Sequence, residues 1–516
     1  MRGLLLFFVL IILNLGVSSE ETIQASPQFA NNPESIRRFQ DRQVRQKIAK
    51  DYDEAKMRAC HSATDQMADI LQILVTNKNK DEAAVLLKQI AALEPKNASL
   101  ARFSKFIEDI NDPQPMTDLQ KKDLADRLAR AKKARAVGLN SLARTCYSAG
   151  LMGYAYDLLD EMIENDPDQL NARKAMGHVK VGNAWHSQYD AIQLSTGQVY
   201  VPEYGWVAKA NVERVKKGEW FEKDKWMSLE EANKLHKNLD TPWVIETQNF
   251  KMVSTATRKQ AVELSEKLEE IRHFCFRQYL EFFLRGSPKT GGELLFNQAA
   301  QAKMVVNFQG SKADYNTIIM RDFRDHNPEL TLRSAGFYSP RAHASYFYYQ
   351  ADYGEFLDIL LQHEVTHQIL GEFQRGGDPP VWLAEGVAEV LGRGVYNEEN
   401  RLVLPKGARH GSVEAVAELM NSGKLISVGD LLNLSHDQFH AEPGRRNNYE
   451  VSSAFCRFML EYKNGLYSVD FLEYLNDQYK GTSALSLYPY VALDARALDK
   501  AFREYLSAAV VYRPDK

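Results

Sequence analysis

Apolar and polar positions alternate with two different periods along this chain of 516 residues. From about residue 35 to residue 186 the apolar side chains recur at helical spacing and β-branched runs are few, which predicts a region made of helices. From about residue 241 short apolar runs of strand length stand beside one long amphipathic helix. The pattern therefore predicts an α+β protein whose first part is entirely helical.

The mixed part begins with two strand-like runs, Trp243 to Thr247 and Phe250 to Thr255. A long amphipathic helix is predicted for Arg258 to Leu284, because its apolar residues share one face. Two further strand-like runs follow, Ala302 to Phe308 and Ala335 to Tyr349. This order predicts a mixed sheet with a long helix packed against it.

Two segments of the helical part share a layout. Asp81 to Pro95 and Ala155 to Pro167 each carry small residues near the start of an amphipathic helix and end in an acidic residue followed by proline. This layout resembles the helical hairpins of tetratricopeptide repeats, although only two or three units are visible. Two interpretations stay open: a concave surface for a protein partner or a peptide, or a helical prefix packed against the next domain.

Five of the six tryptophans lie between about Asn183 and Trp243, around the junction of the helical and the mixed parts. They are Trp185, Trp206, Trp220, Trp226 and Trp243. An aromatic platform for sugar or peptide is one interpretation, but large aromatic side chains more often carry burial. We therefore expect a small connecting module over residues 186–240, with a strand near Gly197 to Gly205 and a helix that begins at the capping box of Ser228.

The first 19 residues have the layout of an export signal. A positive start at Arg2 precedes an apolar run from Gly3 to Leu13, and small residues at Val17 to Ser19 suit cleavage. The run is shorter than the roughly 20 residues of a membrane span. An uncleaved anchor is the alternative, but we expect a periplasmic or extracellular protein without a membrane span. The remaining chain then divides into residues 20–185, 186–240 and 241–516.

Charge and cysteine content exclude some classes of function. The net charge is only -4 and both signs are scattered, so no basic field is expected to gather nucleic acid. The four cysteines lie far apart, and none has the CxxC spacing of a redox pair or a thiolate zinc site. Export would permit a disulfide between Cys60 and Cys146, and isolated buried thiols are the alternative.

The candidate chemistry begins with two histidines inside a predicted helix. His363 and His367 stand one turn apart on the same face, where two imidazoles can bind one metal ion. Glu364 lies on the neighbouring side of that helix. This HExxH spacing is found in zinc hydrolases.

A second predicted helix follows the sequence Asp378-Pro-Pro380, which suits an N-cap and a first turn. On this helix Glu385 and Glu389 lie four positions apart and share a face. Glu385 is therefore placed to complete a site of two histidines and one glutamate. Such a site keeps a fourth position for water, as a catalytic zinc centre requires.

The segment Trp382-Leu-Ala-Glu-Gly-Val-Ala388 resembles the WLxEGxA motif of gluzincin metallopeptidases. The order of strand, long helix and further strands before it resembles the N-terminal half of their catalytic domain. The resemblance covers about residues 241–479 and is closest to an uncharacterised bacterial peptidase-MA-like branch that combines an export signal, helical repeats and this domain. It implies a gluzincin-type fold for residues 241–516, preceded by a tetratricopeptide-like helical region.

The resemblance also implies a role for each residue of the motif. His363, His367 and Glu385 become the ligands of one Zn²⁺ per chain, and Glu364 becomes the general base. Glu389 matches the position of an acidic group that orients the first histidine, although the family often has an aromatic residue near that point.

Two further roles come from the same family. The last strand before the metal-binding helix is the edge along which an extended substrate pairs, which implies substrate contacts at Ser345, Tyr346 and Phe347. A tyrosine at the start of a later helix donates its hydroxyl to the developing oxyanion, and Tyr449 is the candidate here. Packing at the helix start is the alternative for Tyr449. The loop histidines His436 and His440 are weaker candidates.

The implied function is an exported zinc peptidase that hydrolyses a peptide or protein substrate by metal-activated water. The aminopeptidase branch usually carries a GxMEN-type segment, and its absence from this sequence favours an endopeptidase. One alternative is a zinc-binding but inactive peptidase-like protein that acts as a scaffold through its helical region. Another is an inhibited precursor whose N-terminal half covers the cleft. Retention of Glu364 argues against a purely structural site, which needs no base.

Overall fold

The structure is a computed structural model and describes residues 26–29, 32–97, 99–284, 296, 302–323, 334–350, 354–407, 410–482 and 486–511. The predicted export signal lies outside these ranges. The described chain is mostly helical and contains one small mixed sheet, so the α+β class is confirmed at this level. None of the described helices is both long enough and apolar enough to cross a membrane.

Within the described residues, seven α-helices form the first part of the chain. They are α1 (Pro33–Lys50), α2 (Tyr52–Thr76), α3 (Lys80–Leu93), α4 (Leu100–Glu108), α5 (Asp118–Ser148), α6 (Met152–Asn165) and α7 (Leu170–Ala175). α2, α5 and α6 pack on each other. A Cβ atom at Gly138 of α5 would lie 2.0 Å from the carbonyl oxygen of Ala59, so glycine is required where α5 crosses α2. The resemblance to tetratricopeptide repeats stays a prediction.

The connecting module begins at Val179, earlier than the expected residue 186, and contains three successive copies of one unit, a two-stranded hairpin followed by a short helix. The units are β1 (Val179–Val181), β2 (Ala184–His186) and α8 (Gln188–Ser195); β3 (Gln198–Val201), β4 (Gly205–Ala208) and α9 (Val212–Val215); β5 (Glu219–Glu222), β6 (Lys225–Ser228) and α10 (Leu229–His236). The second strand of each unit carries a tryptophan: Trp185, Trp206 and Trp226. The expected strand and the capping box at Ser228 are both present.

Among the described residues the mixed sheet has five strands, and its three central strands are parallel. The strands of the sheet and the helices that lie between them in sequence are β7 (Trp243–Glu246), β8 (Phe250–Ser254), α11 (Arg258–Gln278), α12 (Leu280–Phe283), β9 (Met304–Gln309), α13 (Lys312–Asp322), β10 (Gly336–Ser339) and β11 (Ala344–Tyr348). The strand order is β10-β11-β9-β8-β7. β8, β9 and β11 run parallel, whereas β7 and β10 are antiparallel edge strands.

This topology corrects the predicted substrate strand. β11 pairs with β10 on one side and β9 on the other, and all of its residues are buried. A substrate therefore cannot pair with it, and Ser345, Tyr346 and Phe347 belong to the interior. Ser345 donates its hydroxyl to Gln368 at 2.8 Å. The prediction was wrong because the run Ala335 to Tyr349 folds back as a hairpin, which makes β10 the edge.

The secondary structure described from residue 354 onward is helical apart from one short hairpin. Its elements are α14 (Gly354–Phe373), α15 (Val381–Gly392), β12 (Val395–Tyr396), β13 (Leu402–Val403), α16 (Gly411–Asn421), α17 (Val428–Leu432), α18 (His436–His440), α19 (Arg445–Gly465), α20 (Ser468–Lys480), α21 (Tyr488–Val491) and α22 (Ala495–Val511). One continuous hydrophobic core joins helices of the first part to the sheet and to these helices. The four cysteines are buried free thiols.

The first helix is fastened to the last part of the chain. Arg42 of α1 donates to Asp470 at 2.6 Å and to the carbonyl oxygens of Val491 and Tyr490 at 2.7 and 2.9 Å. Both charged side chains of this ion pair are almost fully buried. The helical part is therefore packed against the mixed part, as one of the two interpretations expected.

Candidate metal centre

α14 carries the HExxH motif and α15 carries the Trp382-Leu-Ala-Glu-Gly386 motif. Contacts with the later helices α19 and α20 hold both in place. Gly376 and Gly377, in the loop between α14 and α15, both donate their N–H to the carbonyl oxygen of Tyr479, at 3.2 and 2.7 Å. A Cβ atom at Gly377 would lie 1.9 Å from the carbonyl oxygen of Gln478. The two glycines follow the end of α14 at Phe373 and fix the loop to the end of α20.

The glycine of the WLAEG box has a packing role as well. A Cβ atom at Gly386 would lie 2.6 Å from the Sγ atom of Cys456 and 2.8 Å from the carbonyl oxygen of Ser452. α15 and α19 therefore meet almost backbone to backbone at this point. Trp382 is buried beside the ring of Phe455, 5.7 Å away between centroids. Together these contacts fix α15, which carries Glu385, against α19.

The structure brings the three predicted ligands together. The Nε2 atoms of His363 and His367 are 3.2 Å apart, and they lie 3.3 and 3.6 Å from Oε2 of Glu385. A tetrahedral zinc site with ligand distances of about 2.0–2.1 Å requires separations of about 3.3–3.4 Å between its ligand atoms. Two imidazoles and one carboxylate are also a donor set that zinc prefers. The residues fit a zinc ion with one coordination position left open.

The same three side chains stand out across the described ranges. No other group of three or more His, Cys, Asp or Glu side chains there has the mutual distances that one metal ion needs. All three are only half-buried, so the site is reachable from solvent. An open position and access from solvent are what a catalytic metal centre needs.

Glu389 lies behind the first histidine. Its Oε1 is 3.3 Å from Nδ1 of His363, and Arg393 lies between Glu389 and Glu450, at 3.5 and 3.0 Å. This contact presents Nε2 of His363 to the side of the candidate metal.

The electrostatics of the cluster favour a positive charge at its centre. Burial lowers the pKa of His363, but the hydrogen bonds that its ring donates to Glu385 and Glu389 outweigh this effect and raise that pKa to about 10. Burial raises the pKa of Glu385, and the charges and hydrogen bonds of His367 and His363 more than reverse this effect. The carboxylates thus favour a cation beside the imidazoles, whether a proton or a metal ion.

Glu364 makes a contact that the sequence did not reveal. Its Oε2 accepts the main-chain N–H of Tyr338, on the edge strand β10, at 3.0 Å. Within the described part of the chain Glu364 has no other hydrogen bond, so its second oxygen is available to a reactant. The phenol of Tyr338 donates to Oε1 of Glu372 at 2.8 Å. A spacing of four along α14, from Glu364 through Gln368 to Glu372, is the sequence signal that could have indicated this polar face.

Tyr449 lies at the start of α19, beside α18. Its ring is 5.0 Å from that of Phe439 and 5.9 Å from that of His440, measured between centroids. Burial raises the pKa of Tyr449, and the negative charge of Glu385 raises it further, so the phenol keeps its proton. Burial and the charge of His436 lower the pKa of His440, which Glu385 opposes. Tyr449 and His440 therefore both lie within electrostatic range of the candidate metal centre, whereas the side chain of His436 is mostly exposed.

Comparisons with protein-family models, curated proteins and solved structures find no match to this chain. The functional interpretation therefore depends on the geometry of the site.

Proposed function

We propose that this chain is a zinc-dependent peptidase of the gluzincin type, exported and acting as an endopeptidase. The observation that carries the proposal is the set of ligand-atom separations, 3.2, 3.3 and 3.6 Å, among His363, His367 and Glu385. In this proposal these residues hold one zinc ion and Glu389 orients His363. Zinc with three protein ligands supplies a Lewis acid that polarises a carbonyl group and makes water acidic near neutral pH.

Glu364 is the general base of the proposed reaction. One of its oxygens is anchored by the amide of Tyr338, which leaves Oε1 to accept a proton from the attacking water. The same oxygen then returns the proton to the nitrogen of the leaving amine. An inactive zinc-binding scaffold would have no use for a carboxylate held in this way.

Tyr449 supplies a neutral hydrogen-bond donor. Because its raised pKa keeps the phenol protonated, the hydroxyl can donate to the oxygen on which negative charge develops. His440 lies beside it and can support the same charge.

The free edge of the sheet is the proposed docking line for the substrate. β10 is an edge strand, and its Tyr338 contacts Glu364 directly. An extended peptide paired with β10 therefore passes next to the proposed base. The outward N–H groups of Tyr338 and Gly336 are bonded to Glu364 and Ser334, so the main chain of the substrate would bond the outward carbonyl oxygen of Tyr338.

Elemental analysis of the purified protein is the first test, with one zinc per chain expected. Glu364→Gln should retain zinc and reduce hydrolysis of a mixed peptide library by a factor of 10² or more, on the general scale of about 10²–10⁴ for acid–base catalysis. Asp358→Asn is the matched control, because Asp358 is on the same helix but pairs with Lys267. A protein without zinc, or full activity in Glu364→Gln, would contradict the proposal. Zinc without hydrolysis by the native protein would favour the scaffold.

A further inference from the structure

A polar stripe runs along the face of α14 that meets the sheet. Glu364, Gln368 and Glu372 lie four positions apart, and each is bonded to the sheet or to the hairpin at its edge. Glu364 accepts the amide of Tyr338 on β10 at 3.0 Å. Gln368 is fully buried, accepts the hydroxyl of Ser345 at 2.8 Å and donates to the carbonyl oxygen of Val305 at 2.8 Å. The stripe therefore fastens α14 to three neighbouring strands.

Glu372 is the last member of the stripe and the one farthest from the candidate metal. Its side chain is only 6% exposed, and it is surrounded by donors. The phenol of Tyr338 lies at 2.8 Å, Nδ1 of His343 at 2.9 Å, and Arg375 forms an ion pair with it. A buried carboxylate is stable only when it is paired and hydrogen-bonded, so these contacts hold the hairpin of β10 and β11 against α14.

The residue before Glu372 gives independent support. A Cβ atom at Gly371 would lie 3.2 Å from the Oη atom of Tyr338 and 3.4 Å from its Cε1. The absence of a side chain at this position lets the ring of Tyr338 lie directly on the helix. Both the helix backbone and Glu372 are thus shaped to receive this tyrosine.

Tyr338 joins the two ends of the stripe. Its phenol is bonded to Glu372, and its main-chain N–H is bonded to Glu364. In an antiparallel strand the N–H and C=O of one residue point to the same side. The carbonyl oxygen of Tyr338 therefore also lies on the free side of β10. The next outward-facing N–H, that of Gly336, is bonded to the hydroxyl of Ser334 at 3.2 Å.

We propose that Glu372 is a positioning residue that acts on the base through Tyr338. By holding the phenol, it fixes the amide that anchors one oxygen of Glu364 and directs the other oxygen toward the reacting water. The role in hydrolysis rests on the proposed function, whereas the contact itself does not. Because β10 remains paired with β11 without Glu372, substrate binding is affected less than the chemical step.

Hydrogen exchange measured by mass spectrometry on the full chain tests the contact without substrate. The amide of Tyr338 is followed in fragments that span residues 334–340, in both zinc-free and zinc-loaded protein. Glu372→Ala and Tyr338→Phe should each speed its exchange about tenfold, the scale of one lost charged hydrogen bond. Glu372→Gln keeps an acceptor oxygen for the phenol and should retain most of the protection. Asp358→Asn, on the same helix, should leave exchange unchanged, and unchanged exchange in Glu372→Ala overturns the proposal.

Peptide hydrolysis tests the consequence for the base. Glu372→Ala should lower kcat about tenfold, leave KM within about twofold and keep one zinc per chain, with Glu372→Gln restoring most of kcat. A change in KM alone, or a loss of zinc, would show a structural role and overturn the positioning role. If the native protein cleaves no peptide, the proposed function fails, and the exchange experiment still decides whether Glu372 holds Tyr338 on Glu364.

Discussion

The candidate metal centre and the module of three hairpins place their polar and aromatic groups in opposite ways. Around α14 and α15 the polar groups are largely buried and bonded, and glycines such as Gly377 and Gly386 let backbones touch. In the hairpins the charged side chains pair at the surface, as Arg214 does with Glu219. Trp226 is half-buried, and its ring centroid lies 3.8 Å from Cζ of Arg214. Single substitutions should therefore lower the free energy of unfolding strongly in the first region and little in the second.

The largest expected effect concerns how far the buried region extends. A chain that begins at residue 241 lacks α2, α5 and α6, whose residues belong to the same core as the sheet and the metal helices. We expect this chain not to fold, as measured by near-ultraviolet circular dichroism and by zinc content. A folded, zinc-binding fragment would show that the metal centre is independent of the helical part.

The next largest effect is expected from a comparison of alanine substitutions at two glycines. Gly377→Ala places a Cβ atom 1.9 Å from the carbonyl oxygen of Gln478, so the loop must move. We expect the free energy of unfolding to fall by about 3 kcal/mol or more, together with weaker zinc binding. Gly153→Ala is the matched control, because nothing lies within 4 Å of its Cβ position on α6. It should be neutral or stabilising by up to about 1 kcal/mol in urea denaturation. Equal effects of the two changes would remove the contrast.

The smallest effect compares two arginines. Arg42→Met removes one of the two arginines bonded to the buried Asp470, while Arg45 remains 2.9 Å from its other oxygen, so the free energy of unfolding should fall by about 1.5–3 kcal/mol. Arg214→Met, in the hairpin module, breaks an exposed pair with Glu219 and should give no measurable change in the denaturation midpoint. A large loss in Arg214→Met would show that the hairpin module is as tightly specified as the metal centre.

The sequence predicted the parts of the site that depend on spacing within one helix. His363, His367 and Glu385 lie where helical periodicity and the WLAEG box expected them. The edge strand was missed because the turn between β10 and β11 has His343 at φ 51°, a left-handed position where glycine or asparagine is the usual signal. Without that signal, the run from Ala335 to Tyr349 is predicted as a single strand.

The three-fold repeat was missed for a similar reason. Left-handed turn positions are filled by Gly182 in the first hairpin, by Glu203 and Gly205 in the second, and by Lys223 and Asp224 in the third. The backbone repeats while the residue types change, so the sequence shows clustered tryptophans rather than units. Contacts that cross between elements, such as Tyr338 with Glu364, follow from the tertiary structure and have no local pattern.

The hydrogen bonds that Arg42 makes with Asp470 and Val491 affect the order in which parts of the protein can fold. Asp470 and Val491 follow Arg42 in the chain by 428 and 449 residues. The candidate metal ligands lie between Arg42 and Asp470 in the sequence. Contacts over such separations form late, because a long loop must close before they give any stabilisation. As the chain emerges from the ribosome, α1 cannot make these contacts before Val491 has been made. α20 and α21 belong to the same hydrophobic core as α14 and α15, so this core is completed late in folding.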